Sequence, residues 1–130
     1  MEAILEAGKV RLTIEFNTTP AAAKIWEALP VEAEAHTWGQ EVYFTVPVEY
    51  EPEELQELVE KGDVAYWPPG RALCLFFGPT PVSRPGEIRP YSPVAVVGKV
   101  RDEVERLASV RPGDRVRLAR ASGGTSAEKA

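Results

Sequence analysis

The sequence predicts a mainly β domain, closed into an eight-stranded barrel with two main helices covering its ends. Three observations lead there. Eight runs of five to seven residues carry alternating or sustained apolar positions, most of them bounded by Gly, Pro or Asn. Two stretches show the three- and four-residue spacing of a buried helical stripe. A set of short strands in a chain of 130 residues leaves sticky edges unless the sheet closes on itself. An open antiparallel α+β sheet is the alternative.

The chain supports this element by element. Glu2 to Ala7 and Val10 to Phe16 read as strands flanking Gly8 and Lys9, a suitable hairpin turn. In the second strand Val10, Leu12, Ile14 and Phe16 alternate with Arg11, Thr13 and Glu15, so one face is core and the other wet. Thr19 can cap a helix that Pro20 starts and Pro30 stops, with Ala22, Ile25, Trp26 and Leu29 as its apolar stripe. Val31, Ala33 and Ala35 suggest a strand before His36, and Glu41 to Val46 a better one with Val42, Phe44 and Val46 on one face. His36, Trp38 and Tyr43 are near enough in sequence to meet one ligand, although packing explains each more cheaply. Glu53 to Glu60, after Pro52, reads as a short helix with acids in its first turn and Leu55, Leu58 and Val59 as its stripe.

Gly62 to Pro81, GDVAYWPPGRALCLFFGPTP, organises the rest. Asp63 to Trp67 and Ala72 to Phe77 are strands joined at Pro68, Pro69 and Gly70, and a type II turn would use the positive φ that Gly70 tolerates. The second strand is apolar throughout, which marks it as central. Gly78 to Pro93 then packs five prolines and two glycines into sixteen residues, a loop long and stiff enough to build a rim. Val94 to Val100 is the next strand, followed by a short helix or turn around Val104, Leu107 and Ala108 and a last strand, Arg115 to Ala119. One domain over residues 1–121 and a flexible tail over residues 122–130 follow.

Composition narrows the function classes. An apolar fraction of 44% argues against disorder, and a net charge of -5 disfavours nucleic acid as a partner. The arginines at 115, 117 and 120 have no interleaved aromatics for stacking bases. Residues 1–63 carry fourteen acids and four bases, whereas residues 64–120 carry five acids and ten bases, so self-association through opposite charge stays an open alternative. The single Cys74 lies in an apolar run and reads as an inert core thiol, which leaves no disulfide, no Cys-rich metal site and no implied cofactor. No long apolar segment or signal-peptide pattern is present, so a cytoplasmic protein with no membrane partner is expected.

Three segments carry a resemblance: TPAAAKIWEALP, GDVAYWPPGRALCLFFGPTP and RPYSPVAVVGKV, together spanning about residues 10–120. In these the chain resembles the small prokaryotic cyclophilin-like domains, which implies an eight-stranded barrel related to the peptidyl-prolyl isomerase fold. Active cyclophilins place an arginine on the strand after the first helix, followed by phenylalanine and glutamine and a Gln-Gly-Gly run. The corresponding strand here, EVYFTVPVEY, has neither. No catalytic residue of that family maps onto this chain, and Arg71 is only a spatial candidate.

The function expected first is therefore a binding module for a small anionic molecule or short peptide. Trp67, Arg71, Phe77, Arg89 and Tyr91 are its candidate ligand-binding residues: aromatic area, a cationic anchor and a proline-stiffened rim. Prolyl isomerisation is the second reading, with Arg71 polarising the amide. A homo-oligomeric structural protein is the third. No paired acid, triad or metal cluster points to hydrolysis or redox chemistry.

Overall fold

The computed structural model describes residues 1–121; the expected tail over 122–130 lies outside the described residues. Strands β1 (Glu2–Ala7) and β2 (Val10–Phe16) form an antiparallel hairpin that pairs Leu5 with Leu12 and Ala7 with Val10. Ala3, Leu5 and Ala7 of β1 and Val10, Leu12, Ile14 and Phe16 of β2 enter the barrel, and the intervening residues, Ile4 among them, lie nearer the surface, as alternation requires. Helix α1 (Pro20–Ala28) starts where the Thr19 hydroxyl accepts the Ala22 amide at 3.2 Å. It buries Ala21, Ala22 and Ile25 and presents the Trp26 ring edge-on to Phe16 at 6.0 Å. It ends before a cis peptide bond between Leu29 and Pro30.

The remaining strands are β3 (Val31–Glu34), β4 (His36–Thr37), β5 (Glu41–Thr45), β6 (Asp63–Trp67), β7 (Ala72–Phe76), β8 (Ala95–Val100) and β9 (Arg115–Arg120). They form one sheet in the order β3-β9-β1-β2-β8-β6-β7-β5-β4. Its two terminal members, β3 and β4, are consecutive in the chain and separated only by Ala35. The first half of that run pairs with β9 and the second half with β5. At the joint the Ala35 amide donates to the Asp114 carbonyl at 2.8 Å, and the Ala35 carbonyl accepts the Gly113 amide at 2.8 Å. Nine assigned strands are thus eight lengths of chain around a nearly closed barrel. One bent run serves both edges.

Two local expectations fail. Residues 53–60 are not helical: Gln56 bridges Val94 and Val59 bridges Ile88, so the segment lies extended against the long loop. Those backbone bonds and the burial of Val59 outweigh a weak helical stripe in which Leu55 and Leu58 remain exposed. The Pro68–Gly70 turn is a single 3-10 turn, and the left-handed residue is Arg71 (φ 48°), not Gly70. The second helix is instead the 3-10 helix Val104–Ser109, which seats Val104 and Leu107 in the core.

The oppositely charged halves of the sequence meet inside the chain. Arg101 reaches Glu15 at 3.1 Å, Lys99 reaches Asp63 at 3.2 Å, and Arg115 reaches Glu32 at 2.9 Å. Exposed pairs like these add little stability.

Strands β6 and β7 are covered on both faces, which positions the site. Val64, Tyr66, Leu73 and Leu75 point into the barrel core. Ala65, Ala72, Cys74 and Phe76 form a second buried cluster on the outside, with Val59 and Val94 from the loops laid over them.

Candidate functional site

Between that outer face and the covering loop lies a cavity of about 150 Å³, lined by Trp38, Glu41, Tyr43, Trp67, Cys74, Phe76, Pro90, Tyr91 and Val94. Period-two geometry explains its floor. Glu41 and Tyr43 share the outward face of β5, and β7 brings Phe76 opposite Glu41 and Cys74 opposite Tyr43.

The β4–β5 turn sets Trp38 and Glu41. The Trp38 amide donates to the Glu41 carbonyl at 3.0 Å, and Gly39 between them adopts φ +59°. A Cβ at Gly39 would stand 2.7 Å from the Pro81 ring, so this turn also needs glycine for its close approach to the loop.

Trp67 ends β6, and its indole Nε1 donates to the Ser92 hydroxyl at 2.6 Å. A Cβ at Gly70 would collide with the indole, which accounts for a glycine at a position with no positive φ. Tyr91 then stands nearly perpendicular to both indoles: 5.8 Å and 70° from Trp38, 6.0 Å and 82° from Trp67. Tyr91 is 71% exposed and forms the mouth. The loop that carries it is held by Ser83, whose hydroxyl oxygen accepts the Thr80 and Arg89 amides at 2.9 Å each.

Glu41 is the one charged group of the lining and is only 5% exposed. Burial pushes its carboxyl up to about 7, and a hydrogen bond from the Cys74 thiol opposes that rise. Burial and then the neighbouring Glu41 charge push the Cys74 thiol well above its ordinary value, which disfavours the thiolate that a nucleophile needs. His36 stacks on the Tyr43 ring at 5.2 Å. Among the described residues, no group of three or more His, Cys, Asp or Glu converges to hold a metal. No helix among them is long and apolar enough to cross a membrane.

The five residues singled out from the sequence do not form one group. Trp67 and Tyr91 line the cavity together. Arg71 lines a different hollow, with Pro30 and Thr45, and its guanidinium pairs with Glu49 at 3.3 Å. Phe77 packs against the barrel core, and the neighbouring Phe76 takes the cavity face. Arg89 turns to the loop, 2.8 Å from Glu87 and 3.5 Å from Glu57; the Arg89 hydrogen bond holds the Glu87 carboxyl below its usual range. Neither arginine lines this cavity, so it lacks the cationic anchor expected from the sequence. Sequence reasoning missed Glu41, which entered only as the first residue of a strand. The signal was that Glu41 shares a face with Tyr43 and pairs with a strand apolar on both sides.

The comparisons agree with this architecture. The family model described as Cyclophilin-like matches residues 1–119. The solution structure of a hypothetical protein from Archaeoglobus fulgidus is similar at a TM-score of 0.80 and 41% identity, covering 93% of this chain and 95% of that one. No curated protein matches. A match over nearly every described residue, on an eight-length barrel, leads to one conclusion: the chain belongs to the cyclophilin-like family.

Proposed function

We propose that this domain is a binding module that receives one small molecule, or one side chain of a short peptide, in the outer-face cavity. The observation that carries the reading is the lining: five aromatic side chains, two of them indoles, around about 150 Å³. An apolar hollow of roughly 150 Å³ takes a single ring. The sheet supplies a rigid floor, and the loop bearing Tyr91 supplies the entrance, which suits preformed recognition.

Tryptophan fluorescence, with benzyl alcohol and N-acetylprolinamide as probes, tests this. The expected result is saturable quenching, with NMR shifts at the Cys74 and Val94 amides. Replacing Tyr91 with Ala should weaken binding severalfold, since an aromatic contact contributes about 1 kcal/mol. Arg71→Gly should leave binding unchanged. Shifts confined to residues outside the cavity would reject the proposal.

A second reading, prolyl isomerisation, is favoured by a ring-sized cavity in a cyclophilin-like barrel. Arg71 cannot polarise the amide from its own hollow. The lining offers the protonated Glu41 carboxyl as a donor in its place, which would stabilise the twisted amide. Such a rate would fall as pH rises through about 7, where that proton is lost. A protease-free assay on X–Pro peptides that returns only the uncatalysed rate removes this reading.

A further inference from the structure

We infer that the cavity recognises a small organic cation, an alkylated ammonium group, with Trp38, Trp67 and Tyr91 as its aromatic walls and Glu41 as the counter-charge. This rests on the cavity being the binding site proposed above and assigns the chemistry of what enters it.

The first argument is geometric. Tyr91 meets both indoles nearly at right angles, so the three rings present surfaces from different directions around one hollow. Aromatic faces carry negative potential and attract cations, above all weakly hydrated alkylammonium groups whose methyls also fit an apolar wall. The second argument is Glu41. It is nearly fully buried, lines the cavity, and forms no ion pair with any described residue. An uncompensated buried carboxyl is unfavourable in the empty protein. A cation resolves it; an anion makes it worse, and a purely apolar ligand leaves it without a role.

The other titratable residues of the lining are Cys74, Tyr43 and Tyr91, with His36 stacked on Tyr43. None of these is a fixed cation. Because the empty site holds the Glu41 proton up to about 7, cation binding should release that proton. Affinity should fall roughly tenfold for each pH unit well below that value, in proportion to the ionised fraction.

The test compares choline with its neutral carbon isostere, the dimethylbutanol in which tert-butyl replaces trimethylammonium, by tryptophan fluorescence at pH 8.5 and at pH 5.5. The expected result is at least tenfold tighter choline binding at the higher pH, a preference that disappears at the lower pH and in Glu41→Gln. The isostere should be indifferent to pH. A trimethyllysine peptide in a parallel titration separates the two sources: tighter than choline means a protein side chain, weaker means a free small molecule. Equal or better binding of the isostere at both pH values overturns the cation assignment and leaves the cavity a binding site. Failure of choline, the isostere and benzyl alcohol alike overturns both readings.

Discussion

Glu41 stands at a position where the fold and the site make opposite demands. Burying its carboxyl in an aromatic and thiol-lined hollow favours the neutral acid, whereas a cationic ligand needs the charge. The linkage has a definite sign. The folded-state value, about 7, lies above the ordinary 4.5, so the native protein binds a proton that the unfolded chain has already released. Stability should therefore fall as pH rises from about 4.5 to about 7 and then level off. The full shift corresponds to about 3 kcal/mol, an upper figure for a group at the edge of an open cavity. Chemical denaturation of the wild type and Glu41→Gln across that window checks it. The stability difference should shift by on the order of 2 kcal/mol in favour of the variant as pH rises, and two parallel curves would contradict the assignment. None of this was legible at residue scale. A glutamate opening a strand looks solvated until one knows what lies over the strand's outer face. Arg71 failed for the converse reason: the three-residue turn after Trp67 sent it to another hollow, where Glu49 meets it.

The elements were easier to read where local pattern and tertiary demand agree. The β1–β2 hairpin and the Thr19-capped helix fell where alternation and capping placed them, because each buries the face its own sequence makes apolar. Residues 53–60 did not, because the stripe is short and backbone pairing with Ile88 and Val94 is available. The loop from Gly78 to Pro93 was legible as stiff but not as a device. Its order depends on side-chain caps that composition does not reveal. Ser83 is the central one, accepting two backbone amides at 2.9 Å. Ser83→Ala would leave both donors unsatisfied in a half-buried turn, a loss of about 1–2 kcal/mol. Hydrogen exchange at the Thr80 and Arg89 amides should accelerate at least tenfold, with affinity for cavity ligands reduced and the β1–β2 core amides unaffected. Unchanged protection at those two amides would mean that Ser83 does not hold the loop.

For the whole molecule, closure produces the site. One bent run, Val31 to Thr37, pairs with β9 and with β5, so the sheet has no free edge there. That leaves β6 and β7 with a full apolar interior behind them and a second apolar surface in front, which the two long connections cover incompletely. The barrel was visible in the strand count and the family resemblance, since both depend on local pattern. The cavity was not, because it depends on two segments, 36–43 and 88–94, that only the closed sheet brings together. Binding and pH-dependent stability therefore turn on one acid in one hollow. The most direct measurement is an NMR pH titration of the Glu41 side-chain carboxyl carbon, with and without saturating choline. The expected midpoint is about 7 in the free protein, displaced downward by choline; a midpoint at the ordinary carboxylate value, unmoved by choline, would contradict it.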